Sequence, residues 1–367
     1  MMVRKLDLTN FRCYPALRLE LPAGLVVVTG PNASGKSSLL EAIFVASAGR
    51  SQRATRDSEL VMWGAKDARV EALFEREPGR DLDVVFELET SGGPRKRLIA
   101  GGKPVRRAAE LLSRVPLVLF TPADLQLAQA APVVRRRFMN LALARLRPAY
   151  ADDLARYGRA LMQRNRLLAM GAGETELRPW TAQMIAAGAE VAVARRRFTE
   201  EIGVLAAGVH ASLAGESEKL GVDYSGNLTA EDAPAAAEQY AALLNRSMSE
   251  EARMRRTLVG PHRDDLRLTL GGQSLRRFGS QGQQRTAALA LKLAEAELIK
   301  RETGAPPLLL LDDCLSELDE GRASHVLGLT ESYGQLIVTS AAREAALERA
   351  SAAMWLHLRG GEVERVE

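Results

Sequence analysis

Apolar and polar positions change period repeatedly along the chain. Residues 1–30 alternate in "VRKLDLTNF" and "LRLEL" and then run apolar without a break in "GLVVVTG". This pattern predicts two half-buried strands followed by one buried on both faces. "KSSLLEAIFVASAG" follows with Leu39, Ile43 and Ala46 in helical register and Gly49 as a stop. "ARVEALFE", "LDVVFELET" and "RKRLIAGGK", between 68 and 103, read as strands joined by glycine turns. "VPLVLFTP" is another buried strand, ended by Pro122.

Residues 123–256 are rich in Ala, Arg, Leu and Glu and helically periodic; "GAGETELRPW" and "SGNLTAEDAP" read as loops. Glycines and prolines recur and no heptad persists, so a long coiled coil is not expected. From 257 strands return. A hairpin is expected across Gly271–Gly272, then a helix from "SQGQQRT", then the strands "PPLLLLLDD", "QLIVTSA" and "MWLHLRGGEVERV". The expectation is an α/β domain in two pieces, 1–122 and 257–367, split by a mainly α-helical lobe at 123–256.

Composition adds bounds. A chain of 367 residues exceeds one ordinary core. Net charge is +4, with 50 basic against 46 acidic residues, which permits a nucleic-acid partner without demanding one. Aromatics are only 5%, against a binder that grips single strands mainly by stacking. Two distant cysteines offer no disulfide framework or metal spacing, the N-terminus lacks a signal-peptide core and no apolar run spans a bilayer, so a cytoplasmic protein is expected.

The chemistry starts at "GPNASGKSS". Gly30, Pro31, Asn32, Ala33, Ser34, Gly35, Lys36, Ser37 and Ser38 match the spacing of a phosphate loop. Its glycines let backbone N–H groups face phosphate, Lys36 adds a charge for the β- and γ-phosphates, and Ser37 offers a hydroxyl to Mg²⁺. "LLLLLDDC" ends a buried strand in Asp312, suited to the metal side, and Asp313, suited to a general base. A second small-polar turn, Ser280, Gln281, Gly282 and Gln283, opens another helix, and "SELD" (Ser316–Asp319) follows the aspartates. One triphosphate needs one cradle, so the second turn is expected to serve a nucleotide held by another copy.

This order of motifs resembles ATP-binding-cassette ATPases of the SMC group and, more closely, the RecF family of recombination and repair proteins. "NFRCY", "GPNASGKSSLLEAI", "FTPADLQL", "RRRFMN", "QRNRLL", "RPW", "GPHRDDL" and "LDDCLSELD" carry the resemblance over nearly the whole chain. It implies an ABC-type ATPase head with a mixed sheet, ATP and Mg²⁺ as ligands, and a homodimer formed on ATP binding. Ser280, Gln281, Gly282 and Gln283 would then contact the partner's ATP, Ser316 and Asp319 would cross the same interface, and Arg12 would touch nucleotide. It also implies slow hydrolysis, binding to double-stranded DNA and single/double-strand junctions, and cooperation with RecR and RecO in loading RecA, away from membranes.

There are departures. Asp313 stands where many cassettes have glutamate, and its shorter arm implies slow turnover. The usual switch histidine is replaced by "TSA", leaving Thr339 or Ser340. Gln126 is the candidate metal-contacting glutamine. His262 reads either as an interface residue or as a solvated loop histidine. Arg135, Arg136, Arg137, Arg164 and Arg166, from the strongest local charge asymmetry, read alone as a solvated face or as partners of distant acids; the resemblance favours DNA phosphates. A transporter-type ATPase, a small-molecule phosphotransferase and a nonenzymatic clamp are the competing readings.

Overall fold

A computed structural model describes residues 1–365 except 78, 92, 94, 216, 217 and 342–344. The chain forms two compact units: 1–126 with 292–367, and 127–291.

The first unit opens with strands β1 (Met2–Phe11), β2 (Tyr14–Glu20) and β3 (Gly24–Thr29) and helix α1 (Lys36–Ala48). Next come β4 (Asp67–Glu77), β5 (Arg80–Glu89), β6 (Arg95–Ala100), β7 (Lys103–Pro104), α2 (Ala108–Arg114) and β8 (Leu117–Phe120). The second unit holds α3 (Pro132–Leu146), α4 (Pro148–Met170), α5 (Glu174–Ala214), β9 (Leu220–Ser225), α6 (Ala233–Met254), β10 (Asp265–Leu270), β11 (Gln273–Ser274), α7 (Leu275–Phe278) and the start of α8 (Gln281–Thr303). The chain ends with β12 (Leu308–Asp312), α9 (Glu320–Gly328), α10 (Thr330–Tyr333), β13 (Gln335–Ser340), α11 (Ala345–Arg349), β14 (Ala352–Arg359) and β15 (Glu362–Arg365), back in the first unit.

The first unit has two six-stranded sheets. One is antiparallel, in the order β2-β1-β4-β5-β6-β7; the other is mixed, β15-β14-β3-β13-β12-β8. In the mixed sheet β3 pairs in parallel with both β13 and β14. That position buries both faces of Leu25–Val28, as the unbroken apolar run predicts. Helix α1 touches strands of both sheets and is buried on nearly every side, which is why its apolar residues are not confined to one stripe.

The second unit differs from its sequence reading in three places. Residues 220–225, inside the expected helical lobe, form β9, which pairs with β10. This pairing and the ion pairs Arg135–Asp265 and Arg195–Asp264 hold residues 257–266 to the helices, so the expected break at 256/257 falls inside this unit. The expected loop "GAGETELRPW" is mostly the start of α5, a 41-residue helix containing Pro179. Glu176 accepts the Gly173 N–H at 3.0 Å to start it, and Trp180 packs on the Tyr157–Tyr240 core. That burial offsets the one backbone bond the proline removes. The hairpin across Gly271–Gly272 forms with Thr269 opposite Ser274.

Candidate nucleotide site

The phosphate loop leaves the C-terminal end of β3, which lies between the parallel strands β14 and β13. At Gly30 φ is +151°, and an added Cβ would lie 2.3 Å from the Leu358 carbonyl oxygen, so no side chain fits. Ala33 (φ +65°) and Gly35 (φ +107°) also adopt positive φ. Such alternation turns successive N–H groups toward a common centre. Buried Tyr14 donates its hydroxyl to the Gly35 carbonyl at 3.0 Å, and burial pushes that hydroxyl's pKa above its usual value. Lys36 is buried, its ammonium donating to the carbonyls of Gly30 (2.7 Å) and Pro31 (3.0 Å). Pro31, Asn32 and Ala33 are exposed, and Ser38 is half-buried on the first turn of α1.

The order β3-β13-β12 brings the end of β12 beside the loop. β12 and β13 are parallel with Asp312 level with Thr339. Asp312 Oδ1 accepts from Ser37 Oγ at 2.8 Å and from Thr339 Oγ1 at 3.0 Å. The Asp313 N–H in turn donates to Thr339 Oγ1 at 3.0 Å. Lys36, Ser37, Asp312, Asp313 and Thr339 therefore meet within one unit, although some 270 residues separate the first pair from the aspartates. Ser340 is buried next to Thr339, opposite Thr29 on β3. Cys314 is buried, with its thiol donating to the Asp312 carbonyl at 3.0 Å; burial raises its pKa far above normal and leaves it inert.

These residues fit a magnesium nucleotide. Ser34 Oγ, within the loop, is buried and has no hydrogen-bond partner, an arrangement that costs free energy until an acceptor or donor arrives. Ser37 with one carboxylate is a donor set for Mg²⁺, which binds few protein oxygens and takes the rest from phosphate and water. Among the described residues no group of three or more His, Cys, Asp or Glu could hold a metal by itself.

Arg12 faces helix α1. Its guanidinium grips Glu41 through two bonds of 2.9 and 2.8 Å and donates to the Glu59 carbonyl at 2.7 Å. Glu41 is 2% exposed and also accepts from Ser51. Sequence reasoning missed Glu41, Ser51 and Tyr14; the lone carboxylate in "LLEAIFVASA" was the available signal. Gln126 is exposed at the end of a short turn that begins at Asp124, whose carboxylate accepts the N–H and hydroxyl of Thr121.

In the second unit, Ser280 and Gln283 cap α8 reciprocally. The Ser280 N–H donates to Gln283 Oε1 at 2.8 Å, and the Gln283 N–H to Ser280 Oγ at 3.2 Å. Ser280, Gln281 and Gly282 are exposed, while Gln284 and Thr286 behind them are buried. Gln284, unforeseen from sequence, donates to the carbonyls of Leu275 and Gly279 at 3.0 Å each and fixes the turn. In the first unit Ser316 and Asp319 are exposed; Asp319 caps α9 by accepting the Arg322 N–H at 3.0 Å.

The basic cluster divides. Arg135 and Arg164 are each 4% exposed. Arg135 grips Asp265 through bonds of 2.7 and 2.8 Å, and Arg164 binds Glu251 at 2.6 Å, Thr257 at 2.7 Å and Thr181 at 3.0 Å. Their expected role as DNA contacts is corrected: both are internal cross-links, since an unpaired carboxylate as deeply buried as Glu251 is costly. Arg136 is half-buried and donates to the Asp264 carbonyl at 2.7 Å, whereas Arg137 and Arg166 lie on the surface. His262 is neither solvated nor free: its Nδ1 meets the Tyr157 hydroxyl at 2.6 Å and its Nε2 the Thr257 carbonyl at 3.2 Å. Burial, with Arg263, Arg136 and Arg195 nearby, lowers its pKa to about 4.

Known proteins resemble this chain in sequence and fold. The RecF/RecN/SMC N terminal domain family matches residues 2–361. A DNA replication and repair protein RecF from Limosilactobacillus fermentum is 37% identical over 349 residues, covering 93% of this chain and 92% of that one. The protein of the same name from Gloeobacter violaceus is 40% identical over 353 residues, covering 93% and 92%. A solved structure of the recombination mediator protein RecF-ATPrS in the RecFOR pathway superposes with a TM-score of 0.92 at 29% identity, covering 100% of this chain and 98% of that one. An Smc head domain from Pyrococcus furiosus shares the fold, with a TM-score of 0.57 at 17% identity over 99% and 95% of the two chains. Among the described residues no helix is long and apolar enough to cross a membrane. The chain, a mixed α/β ATPase head with a phosphate loop, belongs to the RecF family of DNA replication and repair proteins.

Proposed function

We propose that ATP joins two copies of this chain on DNA, and that slow hydrolysis releases them. The observation that carries this reading is a division of labour between the two units. A phosphate loop, its lysine and its metal-side oxygens are gathered in the first unit, while the second displays an exposed, rigidly capped helix start. Such a helix start offers free N–H groups and the positive end of a dipole to an anion.

In this reading Lys36 turns from the Gly30 and Pro31 carbonyls to the β- and γ-phosphates. Ser37 and Asp312 hold Mg²⁺, which would neutralise phosphate charge when bound. Asp313 accepts a proton from the attacking water, and Thr339 keeps Asp312 and the Asp313 backbone in register. Ser280, Gln281, Gly282 and Gln283 meet the partner's nucleotide, with Ser316 and Asp319 at the same face. ATP bound by the pair and poorly by one copy drives association through linkage. Arg137 and Arg166 are the remaining phosphate contacts on DNA, and RecO, RecR and the loading of RecA at gaps complete the role that the relatives' pathway supports.

Light scattering of wild type and Ser280→Arg, with and without ATP, tests the reading. Wild type is expected to dimerise with ATP, and the variant to bind ATP yet stay monomeric. Normal dimerisation of the variant would remove the cross-subunit role. Comparing DNA release with ATP and with a non-hydrolysable analogue then tests hydrolysis as the reset.

A further inference from the structure

Residues 51–66 connect α1 to β4, and the proposed mechanism does not use them. At their end Trp63 is 99% exposed. Single apolar side chains on a surface are ordinary, but tryptophan is on average among the more buried residues. This one is not on a loose loop. The Ala65 N–H donates to the Met62 carbonyl at 2.9 Å and Gly64 has φ +87°, so Trp63 stands at the tip of a tight turn that only glycine closes without strain. The turn is pinned from several sides. The Met62 N–H donates to Asn10 at 2.7 Å and the Arg12 N–H to Leu60 at 2.8 Å; Val61 bridges Phe11, and Asn10 Nδ2 reaches Asp67 at 3.2 Å.

The segment is also tied to the helix that begins at the phosphate loop. Ser51 donates to Glu41 of α1 and accepts the N–H groups of Arg53 and Ala54 at 2.8 Å each, while Arg12 links Glu41 to the Glu59 carbonyl. Its acids are engaged: Asp57 pairs with Lys96 at 2.7 Å, and Glu59 accepts the N–H groups of Thr55 and Arg56. Arg53, Arg56 and Lys66 are exposed, and among the described residues none of them has a carboxylate in ion-pair reach. An indole displayed on a segment with more cations than acids matches the two faces of an unpaired nucleotide, one flat and one anionic.

We propose that Trp63 stacks on the first unpaired base beside a duplex while Arg53, Arg56 and Lys66 hold the adjoining phosphates, so that this turn recognises a single/double-strand junction. The inference rests on the DNA-binding reading above. It needs only one aromatic, because a junction exposes only one or two base faces. The link through Glu41 places the contact in mechanical series with the helix behind the nucleotide.

Fluorescence anisotropy with labelled blunt duplex and with duplex carrying a single-stranded extension, in ATP and Mg²⁺, tests it. Trp63→Ala is expected to lose roughly tenfold in junction affinity, within the range base–aromatic stacking supplies. It should keep blunt-duplex affinity and ATP binding, and Trp63→Phe should recover most of the loss. Unchanged junction affinity in Trp63→Ala overturns the inference while leaving the DNA reading intact. Failure of Trp63→Ala to dimerise with ATP in the absence of DNA overturns it too, by assigning the surface to the second copy. Wild type that binds neither DNA removes both readings, a failure visible without any variant.

Discussion

Two polar regions of this molecule are built on opposite terms. Around Arg195 in the second unit the charged groups are spent on internal partners. Its guanidinium donates to Asp264 (2.7 Å), the Pro261 carbonyl (2.6 Å), Asn140 (2.9 Å) and Tyr150 (3.1 Å), and Tyr224 completes Asp264 at 2.6 Å. Around Lys36 in the first unit a buried hydroxyl, Ser34, is left without a partner, and the ammonium rests on two loop carbonyls rather than on a carboxylate among the described residues. Closed polar networks fix a shape, while incompletely satisfied ones hold free energy in reserve for a ligand. A buried cation thus means different things: Arg195 and Arg164 are architecture, and Lys36 is the one proposed to do chemistry.

If that contrast is right, substitutions should separate stability from activity. The largest effect is expected in the closed network. Arg195→Leu or Arg164→Leu strands a buried carboxylate and should lower stability by about 3–5 kcal/mol, read as a fall in the urea midpoint. Lys36→Ala should leave that midpoint nearly unchanged and cut ATP turnover by roughly 10²–10³, measured as phosphate release. Equal loss of stability in both variants would erase the contrast.

His262 sharpens it. Its folded pKa of about 4 lies below the ordinary 6.5, so the unfolded chain takes up a proton first as pH falls. The neutral ring's contribution is complete above pH 6.5 and is lost on acidification toward pH 4, by up to about 3 kcal/mol. The urea midpoint should slope downward through that window, and His262→Gln should flatten the slope. The smallest effect belongs to the surface. Arg166→Ala should change stability by less than about 0.5 kcal/mol. It should also weaken DNA binding uniformly across sequences and reduce the salt dependence by about one counterion.

Much of the first unit was legible. An unbroken apolar run before a glycine loop, and another before two aspartates, can hardly be anything but buried parallel strands ending at a phosphate site. The Ser37–Asp312 contact follows from that geometry. The second unit was legible in class but not in detail. "LGVDYS" becomes a strand only because β10 lies beside it, and Pro179 sits in a helix because Trp180 has a core to enter. Arg135 and Arg164 could not be told from surface arginines, since their acids lie 130 and 87 positions away. Trp63 gave no periodic signal at all, because its place is set by a turn.

Asp313 has φ +51°, a left-handed backbone that aspartate and asparagine enter more readily than longer side chains. Lengthening this residue to glutamate would bring a carboxylate nearer to water while asking the chain to hold a stereochemically dearer bend, by something on the order of 1 kcal/mol. Under the role proposed for it, the tempo of the cycle is thus written partly in the handedness of one peptide unit, and a faster clock would have to be wound against its own mainspring.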